Sequence, residues 1–144
     1  MYPESFVAPM REELTRLGVK ELRTAADVDA TLTQTPGTVM LVVNSVCGCA
    51  AGKARPGIAQ ALQHAVKPDV VATVFAGADL EATARAREFL TGYAPSSPAI
   101  ALLQGGKPVF VLERRHIENQ DADAIAQQLS QAFDAHCAPA TIHG

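Results

Sequence analysis

The sequence is short of cysteine, has no large excess of charge of either sign and contains no long apolar run. Each shortage removes a class of protein. Three cysteines in 144 residues are too few for a disulfide framework. A net charge of −3 leaves no basic footprint for nucleic acid or an anionic membrane surface. No apolar stretch approaches the roughly 20 residues that cross a bilayer. The start, Met1-Tyr2-Pro3-Glu4, lacks the basic and apolar regions of a secretory signal, so a cytoplasmic protein is expected. Internal repeats and low-complexity linkers are absent as well. What is present is 48% apolar and 19% charged, a balance that folds as a globule. The expectation is one domain over 1–144, with a helical extension over about 1–18 and a short tail over 138–144.

Periodicity gives the elements. Phe6, Met10, Leu14 and Leu17 recur at helical spacing ahead of Gly18. A short extended piece, Lys20 to Arg23, precedes Thr24-Ala25-Ala26-Asp27, which reads as a helix N-cap with an acidic residue three positions on. Val28 and Leu32 face that helix inward, and Thr35-Pro36-Gly37 ends it. Thr38 to Asn44 is a nearly continuous β-branched and apolar run, the pattern of a strand buried on both faces. A helix is predicted from about Cys49 to Val66, kinked at Pro56. Val70 to Phe75 is a second buried strand. Asp79 is expected to cap a helix ending near Gly92. Ala99–Leu103 and Val109–Leu112 form a hairpin around Gln104-Gly105-Gly106-Lys107. A last helix runs from about Asp121 to His136. The class is α/β, a sandwich of helices around a mixed central sheet.

Two of the cysteines, Cys47 and Cys49, lie where the first buried strand hands over to a helix. The carboxyl end of such a strand is the usual functional edge of an α/β sheet. A helix start offers free N–H groups and partial positive charge, which favour a thiolate. Cys47 precedes the helix and is the better nucleophile. Cys49, in the first turn, is expected to be more shielded and to act second on a mixed disulfide at Cys47. Gly48 leaves the approach open and tolerates the dihedrals a tight ring needs. Lys53 and Arg55 stand nearby in sequence as candidate charges for an anionic partner, or as ordinary solvated helix charges. Ser97-Pro98 suggests a cis bond presenting a backbone edge to the thiols. Cys137 is either a small apolar packing group or an exposed thiol. A rival reading has Cys47 and Cys49 chelating a metal with Cys137 or a histidine, but His64, His116, His136 and His143 are scattered and a closed site needs four ligands.

Together these residues look like the thioredoxin fold, a three-layer α/β/α sandwich. The segment Asn44-Ser45-Val46-Cys47-Gly48-Cys49-Ala50-Ala51-Gly52 with Ala54-Arg55-Pro56 closely resembles the bacilliredoxin family. Val74-Phe75-Ala76-Gly77, Ser96-Ser97-Pro98, Val7-Ala8-Pro9-Met10-Arg11 and Ala132-Phe133-Asp134-Ala135-His136-Cys137 extend the resemblance to nearly the whole chain. The resemblance implies a thiol-disulfide oxidoreductase that removes bacillithiol from mixed disulfides on oxidised client proteins. It implies Cys47 as attacking and Cys49 as resolving cysteine, with Gly48, Ser97 and Pro98 at the substrate edge. Bacillithiol is then a co-substrate, and no resident cofactor or metal is expected. Partners would be bacillithiolated proteins, with no nucleic acid or membrane. The alternative of the same class is a general disulfide isomerase or reductase without bacillithiol preference; that of another class is a non-catalytic metal-binding module.

Overall fold

The computed structural model describes residues 2–137; the expected tail over 138–144 lies outside the described residues. Strand β2, Thr38–Asn44, runs through the centre with every residue buried. Its side chains alternate between two layers, as a strand requires. Val39, Leu41 and Val43 enter one apolar cluster, and Met40 and Val42 enter the other. A continuous apolar run therefore serves two cores at once.

Around β2 the sheet has five strands. Short β1 (Lys20–Glu21) and β3 (Val70–Phe75) lie on one side, β4 (Ala99–Gln104) and β5 (Lys107–Leu112) on the other, in the order β1-β3-β2-β4-β5. The β1, β3 and β2 strands are parallel, whereas β4 and β5 run antiparallel to their neighbours. The β4–β5 turn is the two-residue hairpin expected. Gly105 and Gly106 have φ of 61° and 78°, and a type I′ turn demands positive φ at both positions.

Helices α2 (Ala25–Gln34) and α4 (Leu80–Glu88) supply Val28, Leu32, Ala82 and Ala86 to one core. Helices α3 (Arg55–Ala61) and α6 (Ala122–His136) pack in the other, with Ile58, Ile125, Leu129, Ala132 and Phe133. Helix α1 (Glu4–Thr15) adds Leu14 to that core. Thr24 caps α2 by accepting the Asp27 N–H at 3.0 Å.

Several expectations need correction. The buried face of α1 is Val7, Arg11 and Leu14, while Phe6 and Leu17 are exposed. The reason is Arg11. It is inside, forked onto Asp79 at 2.7 and 2.8 Å and stacked 5.3 Å from the Phe75 ring centre. Asp79 holds its guanidinium firmly protonated, burial opposing and Glu4 assisting. Asp79 therefore spends its carboxylate on Arg11 and makes no side-chain cap bond to α4. The expected long helix over 49–66 is a π-helical turn, Ala50–Ala54, followed by α3. Pro56 sits in the first turn of α3, where its missing N–H costs least. Beyond Ala61 the chain tightens into three-residue turns such as Gln63 N–H to Gln60 O, ahead of Pro68. Helix α4 likewise ends at Glu88, before Gly92. A short helix, α5 (Arg114–Glu118), lies between β5 and α6 where no periodic signal was legible.

Candidate functional site

The site begins at the last residue of β2. Asn44 is 1% exposed. Its Oδ1 accepts from Ser45 N–H and from Arg55 Nη1, both at 2.9 Å. Arg55 Nη1 also donates to Ser45 O at 3.0 Å, and Nε donates to Glu13 at 2.9 Å. Arg55 is thus a buried brace under the loop. It stands at the surface neither as a charge for a partner nor as a solvated helix charge, which corrects both expectations for it. Lys53 bonds Glu118 O at 2.6 Å and is likewise engaged away from Cys47.

On this brace the loop turns into the π-helical segment. Ser45 Oγ accepts the Cys47 N–H at 3.1 Å and donates to Cys47 Sγ at 3.1 Å. Cys47 O accepts from Ala50 and Ala51 N–H at 3.1 and 3.2 Å. Partial burial opposes ionisation of Cys47. The Ser45 hydroxyl, the N–H groups of Ala50 and Cys49, and the charge of Arg114 outweigh it, so the thiol is held below its ordinary range. The thiolate is what attacks disulfides.

Cys49 is the residue before the π-helical turn. Both thiols are free and half-buried, so the expected difference in shielding does not appear as exposure. It appears in what they touch. Cys49 packs against the α3–α6 core, with Sγ 4.0 Å from a Glu118 oxygen. Cys47 lines an open cavity of about 330 Å³. Gly48 is exposed between them, and a Cβ there would meet nothing within 4 Å.

Ser97-Pro98 is cis, and Ser97 lines the Cys47 cavity. Pro98 is buried behind it at the head of β4. Helix α5 is tied to this loop. Arg114 N–H donates to Ser96 Oγ and Arg114 Nη1 to Ser97 O, both at 3.2 Å. Arg114 and Arg87, which also lines the cavity, were missed in the sequence. The only signal was the doublet Arg114-Arg115 after a strand.

Cys137 is far from this chemistry. It is 7% exposed at the end of α6, and Thr38 Oγ donates to its sulfur at 3.4 Å. Thr38 opens β2 and Asn44 closes it, a separation of about 20 Å along an extended strand. Burial pushes the Cys137 thiol up, with Asp69 and Asp134 adding to the shift against the Thr38 bond. It is the packing group of the two expected alternatives, and it cannot complete a metal site with Cys47 and Cys49. Among the described residues no three His, Cys, Asp or Glu side chains are grouped to hold a metal ion, and no helix is long and apolar enough to cross a membrane.

Comparisons with known proteins agree with this geometry. A family model described as disulphide isomerase matches residues 2–137. A bacilliredoxin of Koribacter versatilis is 58% identical, covering 95% of this chain and 94% of its own. Bacilliredoxins of Bacillus licheniformis and Staphylococcus aureus are 48% and 47% identical, covering 94% and 95% of this chain and 95% and 94% of their own. Among solved structures, Fasciola hepatica thioredoxin aligns with a TM-score of 0.58 at 19% identity, over 82% of this chain and 99% of that one. Oxidised thioredoxin of Plasmodium falciparum aligns at 0.54 and 16%, over 83% and 99%. The sheet with its flanking helices is the thioredoxin-like α/β fold, and the chain, a thiol-disulfide oxidoreductase, belongs to the bacilliredoxin family.

Proposed function

We propose that this protein removes bacillithiol from mixed disulfides on oxidised proteins. Cys47 is the attacking and Cys49 the resolving residue, and Gly48, Ser97 and Pro98 form the edge along which the client lies. The observation that carries the reading is the Cys47 sulfur itself. It is stabilised as thiolate by Ser45 and nearby N–H groups and opens onto a cavity bordered by Ser97.

The chemistry is two exchanges. The Cys47 thiolate attacks the bacillithiol sulfur of the mixed disulfide. A bond forms between those two sulfurs, the bond to the client breaks, and the client leaves as thiolate and takes up a proton. The Cys49 thiol then loses its proton and attacks Cys47 Sγ. This releases bacillithiol thiolate and leaves a Cys47–Cys49 disulfide, which an external dithiol reduces with two electrons. Bacillithiol is a co-substrate and no resident cofactor is required. Such a cycle belongs in a reducing compartment, and the reading proposed with it is a cytoplasmic protein.

The test is intact mass after mixing reduced protein with a bacillithiolated client. Cys49→Ser should hold one bacillithiol on Cys47, and Cys47→Ser should leave the client modified. An adduct forming on Cys49 of Cys47→Ser at the full rate would reverse the roles. Matched clients carrying bacillithiol or glutathione separate the specific reading from the general disulfide isomerase or reductase. Equal rates for both would establish the general one.

A further inference from the structure

Apart from the Cys47 sulfur itself, the charged residues that line the cavity are of a single sign. The lining includes the guanidinium groups of Arg87 and Arg114 and no carboxylate. This is in a chain with 15 acidic and 12 basic residues. The two arginines come from separate elements, α4 and the first position of α5. The loop before Pro98 brings them together. Arg87 Nη2 donates to Ser96 O at 3.5 Å, and Arg114 is bound to Ser96 and Ser97 as described.

Neither guanidinium is saturated. Arg87 Nε is buried with no hydrogen-bond partner among the described residues. The long Nη2 contact to Ser96 leaves the guanidinium with donor capacity that the fold does not use. Arg114 Nε faces Glu118 at 3.4 Å, with both side chains 45% exposed, which is a weak, solvent-screened pair. Glu113 borders the adjoining cavity with Arg87, but its carboxylate pairs with Arg115 at 3.2 Å. Two planar donor forks beside a nucleophilic sulfur suit an anionic thiol, because guanidinium binds carboxylate in two parallel bonds.

We propose that Arg87 and Arg114 form a carboxylate subsite that takes the malate carboxylates of the bacillithiol moiety while its sulfur lies against Cys47. This assignment rests on the bacillithiol reading above. The two residues determine specificity: they select anionic over neutral small thiols. The exchange is the one already written, and neither arginine takes or gives a proton.

Two measurements test it on the full chain. The first is alkylation of Cys47, located by mass, with anionic iodoacetate and neutral iodoacetamide. The ratio of the two rates cancels any change in thiolate fraction. Arg87→Gln and Arg114→Gln should each lower that ratio about tenfold, the low end for a hydrogen bond to a charged group, and Arg87→Lys and Arg114→Lys should restore only part of it, because an ammonium keeps the charge without the planar fork. Arg114 is exposed, so its variants keep the test open if Arg87→Gln misfolds. An unchanged ratio in the Gln variants overturns the subsite.

The second uses matched clients carrying bacillithiol or its malate dimethyl ester. The wild type should favour the free acid through KM, and the Gln variants should lose that preference. Equal KM in the wild type overturns the subsite while leaving bacillithiol removal intact. No bacillithiol transfer at all, with the iodoacetate ratio still falling in the Gln variants, overturns the bacillithiol assignment and leaves an anion subsite for another thiol.

Discussion

The Ser45 hydroxyl and Cys47 are coupled twice: Oγ accepts the Cys47 N–H and donates to Cys47 Sγ, each at 3.1 Å. One side chain therefore both shapes the loop and stabilises the anion on its sulfur. Ser45 can do so because it is itself 6% exposed and anchored through its backbone to Asn44 and Arg55. Ser45→Ala removes both bonds. The thiolate-to-thiol ratio at a given pH should fall roughly fivefold, the equivalent of about 1 kcal/mol for a hydrogen bond. The pH profile of Cys47 alkylation should move to higher pH. A profile identical to the wild type would mean that backbone N–H groups and Arg114 alone hold the thiolate.

Arg55 gives a second prediction. It is 4% exposed and ties α3 to Glu13, Asn44 and Ser45. Arg55→Leu leaves Ser45 O without that donor and Glu13 without its cation. The cost should be about 3 kcal/mol, the low end for breaking a buried pair, because water can take over the Glu13 carboxylate, which is 37% exposed. Denaturant midpoints measure this. Alkylation of Cys47 should slow as well, since the loop loses its support. A variant of wild-type stability would show that the guanidinium is dispensable to the fold.

The contrast between Ser45 and Arg55 shows which parts of the molecule were legible in the sequence. The strands, α2, α6 and the hairpin were readable because apolar periodicity and turn glycines carry them, and β2 reads as a doubly buried strand in its seven residues. The thiol pair was legible from its place between strand and helix. Charges were not. Arg11 and Arg55 are polar letters at core positions, and a sequence does not show that Asp79 or Asn44 lies opposite. The break of the long helix into a π-helical turn and α3 was only half visible, through Pro56. Arg87 and Arg114 line one cavity only because the Ser96-Ser97 loop, nine residues from the one and seventeen from the other, ties their elements together.

Cys137 should behave unlike the other two thiols. It is buried, and its ionisation is pushed up by desolvation first. In native protein two thiols should alkylate readily and the third only on unfolding, as intact mass would show. The sign of the pH dependence follows. A thiol whose folded-state pKa is raised contributes stability that is fully present below the unfolded value, about 8.5, and is lost as pH rises through the folded value. Between about pH 8 and pH 10, the wild type should therefore lose more stability than Cys137→Ala, in which that group is absent. Equal losses would place Cys137 in a more open setting than the 3.4 Å Thr38 contact implies.

Gly57 sets the spacing of the two helices behind the site. It lies in α3 without unusual dihedrals, and a Cβ there would stand 2.8 Å from Ile125 Cγ2, 3.0 Å from Ile125 Cβ and 3.2 Å from Ala122 O. Two effects oppose each other in Gly57→Ala. Alanine favours a helix over glycine by about 1 kcal/mol. Overpacking a tight contact costs roughly 1–3 kcal/mol. The clash should win, because Ile125 is fully buried, its branched side chain has little rotamer freedom, and the third neighbour is backbone. The net expectation is destabilisation of about 1 kcal/mol, read from denaturant midpoints. A double-mutant cycle with Ile125→Ala identifies the cause, since removing Cγ2 should make the pair cost less than the two single changes added. Stabilisation by Gly57→Ala alone, the response of an exposed helical glycine, would show that α3 and α6 yield at this contact.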